Sequence, residues 1–353
     1  MSQTGQETWN VKRMLEWTRG YLERKGDEHP RLSAEWLISD VTGLSRVQIY
    51  MNFDKPLTPA ELDAMHDAVV RRGRGEPLQY VTGEMPFRQI VLHCERGALI
   101  PRPETEVLVD AALEGVDAAT LTFPAILGNV LEPAEEEAAG DDDKVVSLQG
   151  NRSAEKDDAA DAQAAELVAP AEPPVLVGPG CRVLEVGTGT GCIALSIASE
   201  RPGTRVVATD LSPQAVALAT RNRDALGLEH AVTVVEGDLA SAVDPDLMGT
   251  FSVLVSNPPY IPSAVVPTLP QEVIGYEPGL ALDGGEDGLD VFRRILELAP
   301  RALAPGGMLC CELFEDNVGT AAELVRVQGG WASAEVREDL THRPRVLVAV
   351  REG

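Results

Sequence analysis

A glycine-rich turn, Gly187-Thr188-Gly189-Thr190-Gly191, constrains the fold of this chain more than any other feature of the sequence. It follows an apolar run at 182–186, which is typical of a buried strand, and precedes a helical pattern that begins at Cys192. Glycine lets a backbone turn tightly and approach a ligand closely. The pattern therefore predicts a strand–turn–helix unit with a ligand beside it. A tight turn without a ligand is the simpler alternative.

Strands and helices alternate regularly after Cys181. The apolar patterns predict strands at 182–186, 205–209, 232–235, 251–255, 308–313, 334–337 and 345–350. They predict helices at 192–199, 213–226, 290–303 and 318–327. Such alternation is typical of a parallel sheet covered by helices. We therefore predict a Rossmann-like α/β domain with a seven-stranded, mostly parallel sheet, helices on both faces and an antiparallel pair of strands at the edge.

The glycine turn lacks the marks of a phosphate-binding loop. A dinucleotide fingerprint would place its third glycine where Cys192 stands, and no lysine follows the turn as in a Walker loop. Asp210, 21 residues after Gly189, ends the second strand, and Asp238 follows the third. Ligands of such sheets bind at this edge, where carboxylates suit ribose hydroxyls and an adenine amino group. Because these turns contain no basic residue, the sequence predicts a neutral or cationic adenosyl ligand such as S-adenosylmethionine.

The segment Ser256-Asn257-Pro258-Pro259-Tyr260 follows the fourth strand on the same edge. As structure alone, Pro-Pro ends a strand and Asn before Pro is an ordinary turn signal. The chemistry suggests more, because an amide nitrogen is a poor nucleophile whose two N–H groups need acceptors. The Asn257 side-chain oxygen and the Pro258 carbonyl can hold that nitrogen in line with a methyl group and stabilise its developing charge. We expect catalysis by this pair, substrate binding by Asn257 to Tyr260, and no metal.

The Asn-Pro-Pro-Tyr segment and the glycine turn together resemble the class I methyltransferases that use S-adenosylmethionine and methylate amino groups. Other segments narrow the resemblance to the protein-(glutamine-N5) methyltransferases of peptide chain release factors. These segments are Glu76 to Gly83, Leu99 to Glu106, Glu277-Pro278 and Asp283 to Leu289. The resemblance covers about 30–114 and 181–350.

The resemblance implies methyl transfer from S-adenosylmethionine to the glutamine of a Gly-Gly-Gln motif in release factors. It implies cofactor contacts from Gly187, Thr188, Gly189, Thr190, Gly191, Asp210, Asp238, Leu239 and Asn257, and substrate contacts from Asn257, Pro258, Pro259 and Tyr260. Two positions depart from the family pattern: Leu239 stands where an aromatic residue often covers the adenine, and Asn317 where Gln is common. Three alternatives stay open: a ribosomal-protein glutamine methyltransferase, a nucleic-acid adenine-N6 methyltransferase, and a non-catalytic docking module that binds the cofactor.

Composition changes along the chain predict four segments. Residues 1–75 carry helical stripes and the capping-box pattern of Thr58 and Glu61, so we expect a helical bundle that docks the substrate. Residues 76–114 predict a β-hairpin and the first helix of the catalytic domain, at about 104–113. Residues 115–180 predict an acidic, disordered insertion, since 132–172 holds 13 acidic and 3 basic residues. Residues 181–353 form the methyltransferase domain.

The charge of the whole chain bounds its partners. A net charge of −26 opposes nucleic-acid binding and suits a cationic protein partner, although solubility alone could explain it. No apolar run approaches the ~20 residues of a membrane span. The five cysteines match no zinc spacing, so we expect reduced thiols. We therefore expect a cytoplasmic monomer with release factors as partners and no direct contact with nucleic acid or membrane.

Overall fold

The computed structural model describes residues 8–127 and 181–353. Its N-terminal part is a bundle of short helices: α1 (Val11–Arg24), α2 (Pro30–Thr42), α3 (Arg46–Met51), α4 (Pro59–Arg72) and α5 (Leu78–Thr82). The predicted helices correspond to α1, α2 and α4, whose buried aliphatic side chains form a common core. Helices α3 and α5 escaped prediction because six and five residues are too few to show a helical period.

Local capping signals place the helix ends of the bundle. The Glu61 N–H donates to the Thr58 hydroxyl at 3.2 Å, and the Thr58 N–H donates to the Glu61 carboxylate at 2.6 Å. The predicted capping box at the start of α4 is thereby confirmed. Ser45 and Gln48 form the same motif at α3, and α2 ends at Gly43, whose φ is 68°.

The predicted β-hairpin is present between the bundle and the sheet. Strand β1 (Glu84–Phe87) pairs antiparallel with β2 (Ile90–His93). Helix α6 (Thr105–Leu127) follows the hairpin and packs against the main sheet through buried residues such as Leu108 and Val116.

Helix α6 is longer than the sequence pattern indicated: it ends at Leu127, whereas the predicted end was Leu113. Gly115, which looks like a helix stop, is a contact point: a Cβ there would lie 2.7 Å from Val253 Cγ2. The missing side chain lets the helix approach the sheet closely. The predicted disordered insertion at 115–180 is therefore wrong for 115–127, and its remainder, 128–180, lies outside the described residues.

The main sheet confirms the predicted seven-stranded, mostly parallel α/β architecture. Its strands are β3 (Arg182–Val186), β4 (Arg205–Asp210), β5 (Val232–Glu236), β6 (Phe251–Ser256), β7 (Leu303–Glu312), β8 (Trp331–Glu338) and β9 (Pro344–Arg351). The spatial order is β5-β4-β3-β6-β7-β9-β8. The first five are parallel, whereas β9 runs antiparallel to both β7 and β8, as expected for the terminal pair.

Helices cover both faces of this sheet. They are α6 with α7 (Cys192–Glu200), α8 (Pro213–Ala225), α10 (Asp290–Ala302) and α11 (Val318–Gln328). The short helix α9 (Gln271–Ile274) has no buried residue. Because side chains alternate along a strand, Cys310 packs into the core on the α6 side and Cys311 into the core on the α10 side. All five cysteines are buried and unpaired. Within the described ranges, no helix has the length and apolar character that crossing a membrane requires.

The order of the strands locates the ligand-binding edge. Chain progression reverses between β3 and β6, which are neighbours in the sheet. Ligands of open α/β sheets bind outside the carboxyl ends of the strands at such a reversal. The glycine turn, Asp210, Asp238 and Asn257 all follow or end strands at this edge.

Candidate active site

The glycine turn between β3 and α7 is tied to the neighbouring strand. The N–H groups of Gly187 and Thr188 donate to the Thr209 carbonyl at 2.8 and 2.9 Å. Gly187 and Gly189 have φ values of 77° and 57°, a region that side chains disfavour. Apart from the glycine itself and its two chain neighbours, no described heavy atom lies within 4 Å of the place where either Cβ would stand. The turn is thus rigid on the sheet side and open on the other.

Asp210, at the end of β4, is held by the same turn. Its Oδ2 accepts from the Gly189 N–H at 2.9 Å, and its Oδ1 accepts from the Ser212 N–H at 2.9 Å. Burial raises the pKa of Asp210, and these N–H groups oppose the rise. Since each carboxylate oxygen can accept more than one hydrogen bond, Asp210 can still bind hydroxyl groups of a ligand.

A second carboxylate, Glu185, lies beneath the turn and was not predicted as a site residue. It is fully buried in β3, and burial raises its pKa to about 8. The Thr188 hydroxyl donates to its Oε2 at 2.6 Å. The sequence signal that could have identified Glu185 is an acidic residue between Leu184 and Val186 inside an otherwise apolar strand.

Asp238 and Leu239 follow β5 and line a cleft that the glycine turn and Asp210 also line. Arg294 of α10 donates to Asp238 Oδ2 at 2.7 Å, and both side chains are half exposed. The turns themselves contain no basic residue, as the sequence indicated, but the fold brings Arg294 to them from a distant helix. Leu239 has a φ of 52°, which is rare for a residue with a side chain.

Asn257 follows β6 and is bound by a residue far away in sequence. Its Nδ2 donates to Thr105 Oγ1 at 3.2 Å, at the first residue of α6. The preceding Ser256 donates its hydroxyl to the Val186 carbonyl at 2.7 Å and so ties β6 to β3. Because the amide nitrogen of Asn257 is engaged, its Oδ1 end is the one available to accept from a ligand.

Tyr260 packs against the protein at the end of the Asn-Pro-Pro-Tyr segment. Its ring stacks on Phe314 with centroids 6.5 Å apart, and its hydroxyl donates to Glu312 Oε1 at 3.2 Å. Burial, together with the charge of Glu312, raises the pKa of Tyr260.

Glycines of the 283–289 segment support the loop that carries Tyr260. A Cβ on Gly284 would lie 2.7 Å from the Pro259 carbonyl oxygen and 2.8 Å from Tyr260 Cα. Asn317 donates from Nδ2 to the Tyr260 carbonyl at 3.3 Å. The 283–289 motif therefore supports the Asn-Pro-Pro-Tyr loop by close backbone contact.

An ion pair joins two other motifs that the sequence singled out, Leu99–Glu106 and Glu277-Pro278. Arg102 donates to Glu277 Oε1 at 2.5 Å across 175 residues of sequence, and the Glu277 side chain is buried. Burial raises the pKa of Glu277, whereas the Arg102 charge opposes the rise. Arg102 and Pro278 line the cleft, so this pair fixes one wall of it.

A single cleft brings most of the predicted site residues together. It is lined by Gly187, Thr188, Gly189, Thr190, Asp210, Asp238, Leu239, Asn257 and Pro259. Gly191, Pro258 and Tyr260 are adjacent in sequence but are not part of the lining. The lining residues without a predicted role include Leu99, Arg102, Thr105, Leu211, Leu280, Val291 and Arg294. Three of these belong to the Leu99–Glu106 motif, to which the sequence assigned no contact.

The chemistry of the cleft fits an adenosyl group with a neutral or positive remainder. The fixed Asp210 carboxylate suits a ribose, the open face of the glycine turn lets a ligand approach the backbone, and Leu99, Leu211 and Leu280 offer apolar walls. Both arginines of the described lining, Arg102 and Arg294, are paired with carboxylates. The described lining therefore offers no unpaired cation to a phosphate group.

Two family models match this chain. One, described as PrmC N-terminal domain, matches residues 13–83, and the other, described as Methyltransferase small domain, matches residues 145–275. The first coincides with the helical bundle and its connection to the hairpin. The second includes the glycine turn and the Asn-Pro-Pro-Tyr segment.

Curated relatives align over most of this chain. The release factor glutamine methyltransferase of Geobacter sulfurreducens is 38% identical over 307 residues, which is 87% of this chain and 85% of the relative. That of Chlorobaculum tepidum is 35% identical over 97% of both chains. The solved release-factor-specific protein-(glutamine-N5) methyltransferase of Alicyclobacillus acidocaldarius is 25% identical, with 72% of this chain and 95% of that chain covered at a TM-score of 0.34.

Proposed function

The chain belongs to the release factor glutamine methyltransferase family, and we propose that it methylates the side-chain amide nitrogen (N5) of the glutamine in the Gly-Gly-Gln motif of peptide chain release factors. The methyl donor is S-adenosylmethionine, which supplies an electrophilic methyl group on a sulfonium sulfur. The observation that carries the proposal is the orientation of Asn257, whose amide nitrogen is held by Thr105 so that its oxygen is available.

Asn257 and Pro258 have the catalytic roles in this proposal. The Asn257 Oδ1 and the Pro258 carbonyl accept the two N–H groups of the substrate glutamine and hold its nitrogen toward the methyl group. Both acceptors stabilise the positive charge that develops on that nitrogen. No strong general base is needed, since a methylated amide cation loses its proton readily. Pro259 and Tyr260 complete the substrate contacts.

The cofactor contacts are assigned to the glycine-turn side of the cleft. Gly187 to Gly191 would hold the amino-acid part through the backbone, and Asp210 would accept from the ribose hydroxyls. Asp238 and Leu239 would meet the adenine, with Leu239 in the place of an aromatic residue. The mutual fixation of Gly189 and Asp210 at 2.9 Å supports this division.

Substrate selection is assigned to the N-terminal bundle together with the cleft wall. Arg72 of α4 donates to Asp27 at 2.7 Å inside the bundle, and it also pairs with Glu272 of α9 at 3.1 Å. The bundle thus rests on the segment that leads to Glu277 at the cleft. We propose that a release factor lies across both parts, because remote contacts can orient the reacting amide.

Substrate selection can be tested with a truncated chain that begins at Glu76. It should bind the cofactor and methylate a short Gly-Gly-Gln peptide like the full chain, but it should methylate the intact factor poorly. Full efficiency on the intact factor would contradict the docking role of the bundle.

The proposed reaction can be tested with labelled S-adenosylmethionine and a purified release factor. The expected result is label on the Gly-Gly-Gln glutamine and none on a factor whose glutamine is replaced by alanine. Ribosomal proteins and adenine-containing DNA serve as competing substrates for the alternative activities. Preferential labelling of either would reject the release factor as substrate.

A further inference from the structure

Thr105 of the Leu99–Glu106 motif contacts the Asn-Pro-Pro-Tyr segment directly. Thr105 is buried at the start of α6, where its backbone N–H donates to the Arg102 carbonyl at 3.1 Å. Its hydroxyl oxygen accepts from Asn257 Nδ2 at 3.2 Å. This contact spans 152 residues of sequence.

The direction of this hydrogen bond matters because an Asn side chain has one donor end and one acceptor end. Only the orientation with Nδ2 toward Thr105 leaves Oδ1 free to accept a substrate N–H. A threonine hydroxyl cannot impose that orientation alone, since it can both donate and accept. A further group must therefore occupy the hydroxyl proton.

Glu312, at the end of β7, is that group. It is buried next to Thr105 and Tyr260; burial raises the pKa of its carboxyl group, and the hydrogen bonds from these two side chains oppose the rise. A carboxyl oxygen of Glu312 can accept the Thr105 proton, and a Thr105 hydroxyl that donates there keeps its lone pairs for the Asn257 Nδ2. The Tyr260 hydroxyl donates to the same carboxylate at Oε1, 3.2 Å away. The buried Glu312 thus interacts with Thr105, which contacts Asn257 at one end of the Asn-Pro-Pro-Tyr segment, and with Tyr260 at the other end.

We propose that Thr105 and Glu312 are positioning residues that fix the polarity of the Asn257 side chain, so that its oxygen faces the substrate amide. The inference rests on the proposed function, since it assigns to the same site the groups that orient its acceptor. Thr105 acts through Asn257, and Glu312 acts through Thr105 and Tyr260.

A double-mutant cycle separates this role from a structural one. Thr105→Val keeps the shape but removes the hydroxyl, and Thr105→Ser keeps the hydroxyl. We expect Thr105→Val to lower kcat for release factor methylation by about 10- to 100-fold, as misorientation of a reacting group does, and Thr105→Ser to restore most of it. In an Asn257→Ala background, Thr105→Val should cause no further loss, because the group that it orients is gone.

Glu312→Gln gives a second readout, since a neutral amide can donate to Thr105 and allow Asn257 to turn. It should lower kcat in the wild-type background and cause a smaller loss in the Thr105→Val background, where only its contact with Tyr260 remains to be changed. The melting temperature and the Kd for S-adenosylhomocysteine, measured on each variant, should stay close to wild type. Retention of both readouts with a lowered kcat supports orientation of Asn257 over a general loss of folding.

Several results would overturn the inference. Methylation of the factor at the wild-type rate by Thr105→Val would do so. A loss from Thr105→Val that multiplies with the loss from Asn257→Ala would also do so, since it would show an independent role. A raised cofactor Kd with unchanged kcat at saturating cofactor would make Thr105 a cofactor contact instead. If the wild-type protein itself leaves the factor unmethylated, the proposed function is wrong and the inference is rejected with it.

Discussion

Replacement of Asp210 by alanine should weaken cofactor binding strongly. The carboxylate is fixed by N–H groups of Gly189 and Ser212, each at 2.9 Å, and Asp210 lines the cleft. A hydrogen bond to a charged group contributes about 1.5–3 kcal/mol. Loss of one such ribose contact should raise the Kd about 10- to 150-fold. Loosening of the glycine turn, which loses the acceptor of Gly189, would add to this effect.

Asp238→Asn is the matched control for this change. Asp238 lines the same cleft, but it is half exposed and paired with Arg294 at 2.7 Å. Contacts of exposed charges are weakened by solvent, so its replacement should raise the Kd less than Asp210→Ala does. Titration calorimetry with S-adenosylhomocysteine measures both values. An unchanged Kd for Asp210→Ala, or a larger effect of Asp238→Asn, would refute the assignment of the ribose to Asp210.

Three further changes test other parts of the site. Asn257→Ala should lower kcat/KM by about 100-fold or more, a loss of at least ~2.7 kcal/mol of transition-state stabilisation, with little change in cofactor Kd; near-normal turnover would reject its catalytic role. Gly284→Ala should lower kcat because its Cβ would lie 2.7 Å from the Pro259 oxygen. Gly279→Ala should leave kcat unchanged, because no described atom beyond its chain neighbours lies within 4 Å of its Cβ position; equal rates of the two variants in steady-state assays would contradict this. Glu185 has a pKa raised from 4.5 to about 8, so its contribution to stability is full below the lower value and is lost as pH rises through the higher one. The melting temperature of Glu185→Gln relative to wild type should therefore rise between about pH 5 and about pH 9, and a constant difference would refute the assigned pKa.

Local signals predicted much of the fold because they act within a few residues. The Thr58–Glu61 capping box lies within one helical turn, and the alternation after Cys181 reports burial strand by strand. The end of α6 was predicted wrongly for the opposite reason. Gly115 stops a helix by local preference, but here it contacts Val253, which belongs to a strand that the sequence pattern cannot bring near it.

The candidate site shows the same division. Gly187, Asp210 and Asn257 could be proposed because each follows a strand whose carboxyl end is predictable. The distant partners of site residues were not predicted. Thr105 contacts Asn257 across 152 residues of sequence, and Arg294 contacts Asp238 across 56. Such contacts depend on how helices α6 and α10 pack on the sheet, which no local pattern encodes.

The most direct test of the central claim is mass mapping of a release factor after incubation with this protein and S-adenosylmethionine. The account predicts one added methyl group on the side-chain amide of the Gly-Gly-Gln glutamine, formed by the wild-type protein and largely lost with Asn257→Ala. An unmodified factor, or a methyl group on another residue, would contradict it.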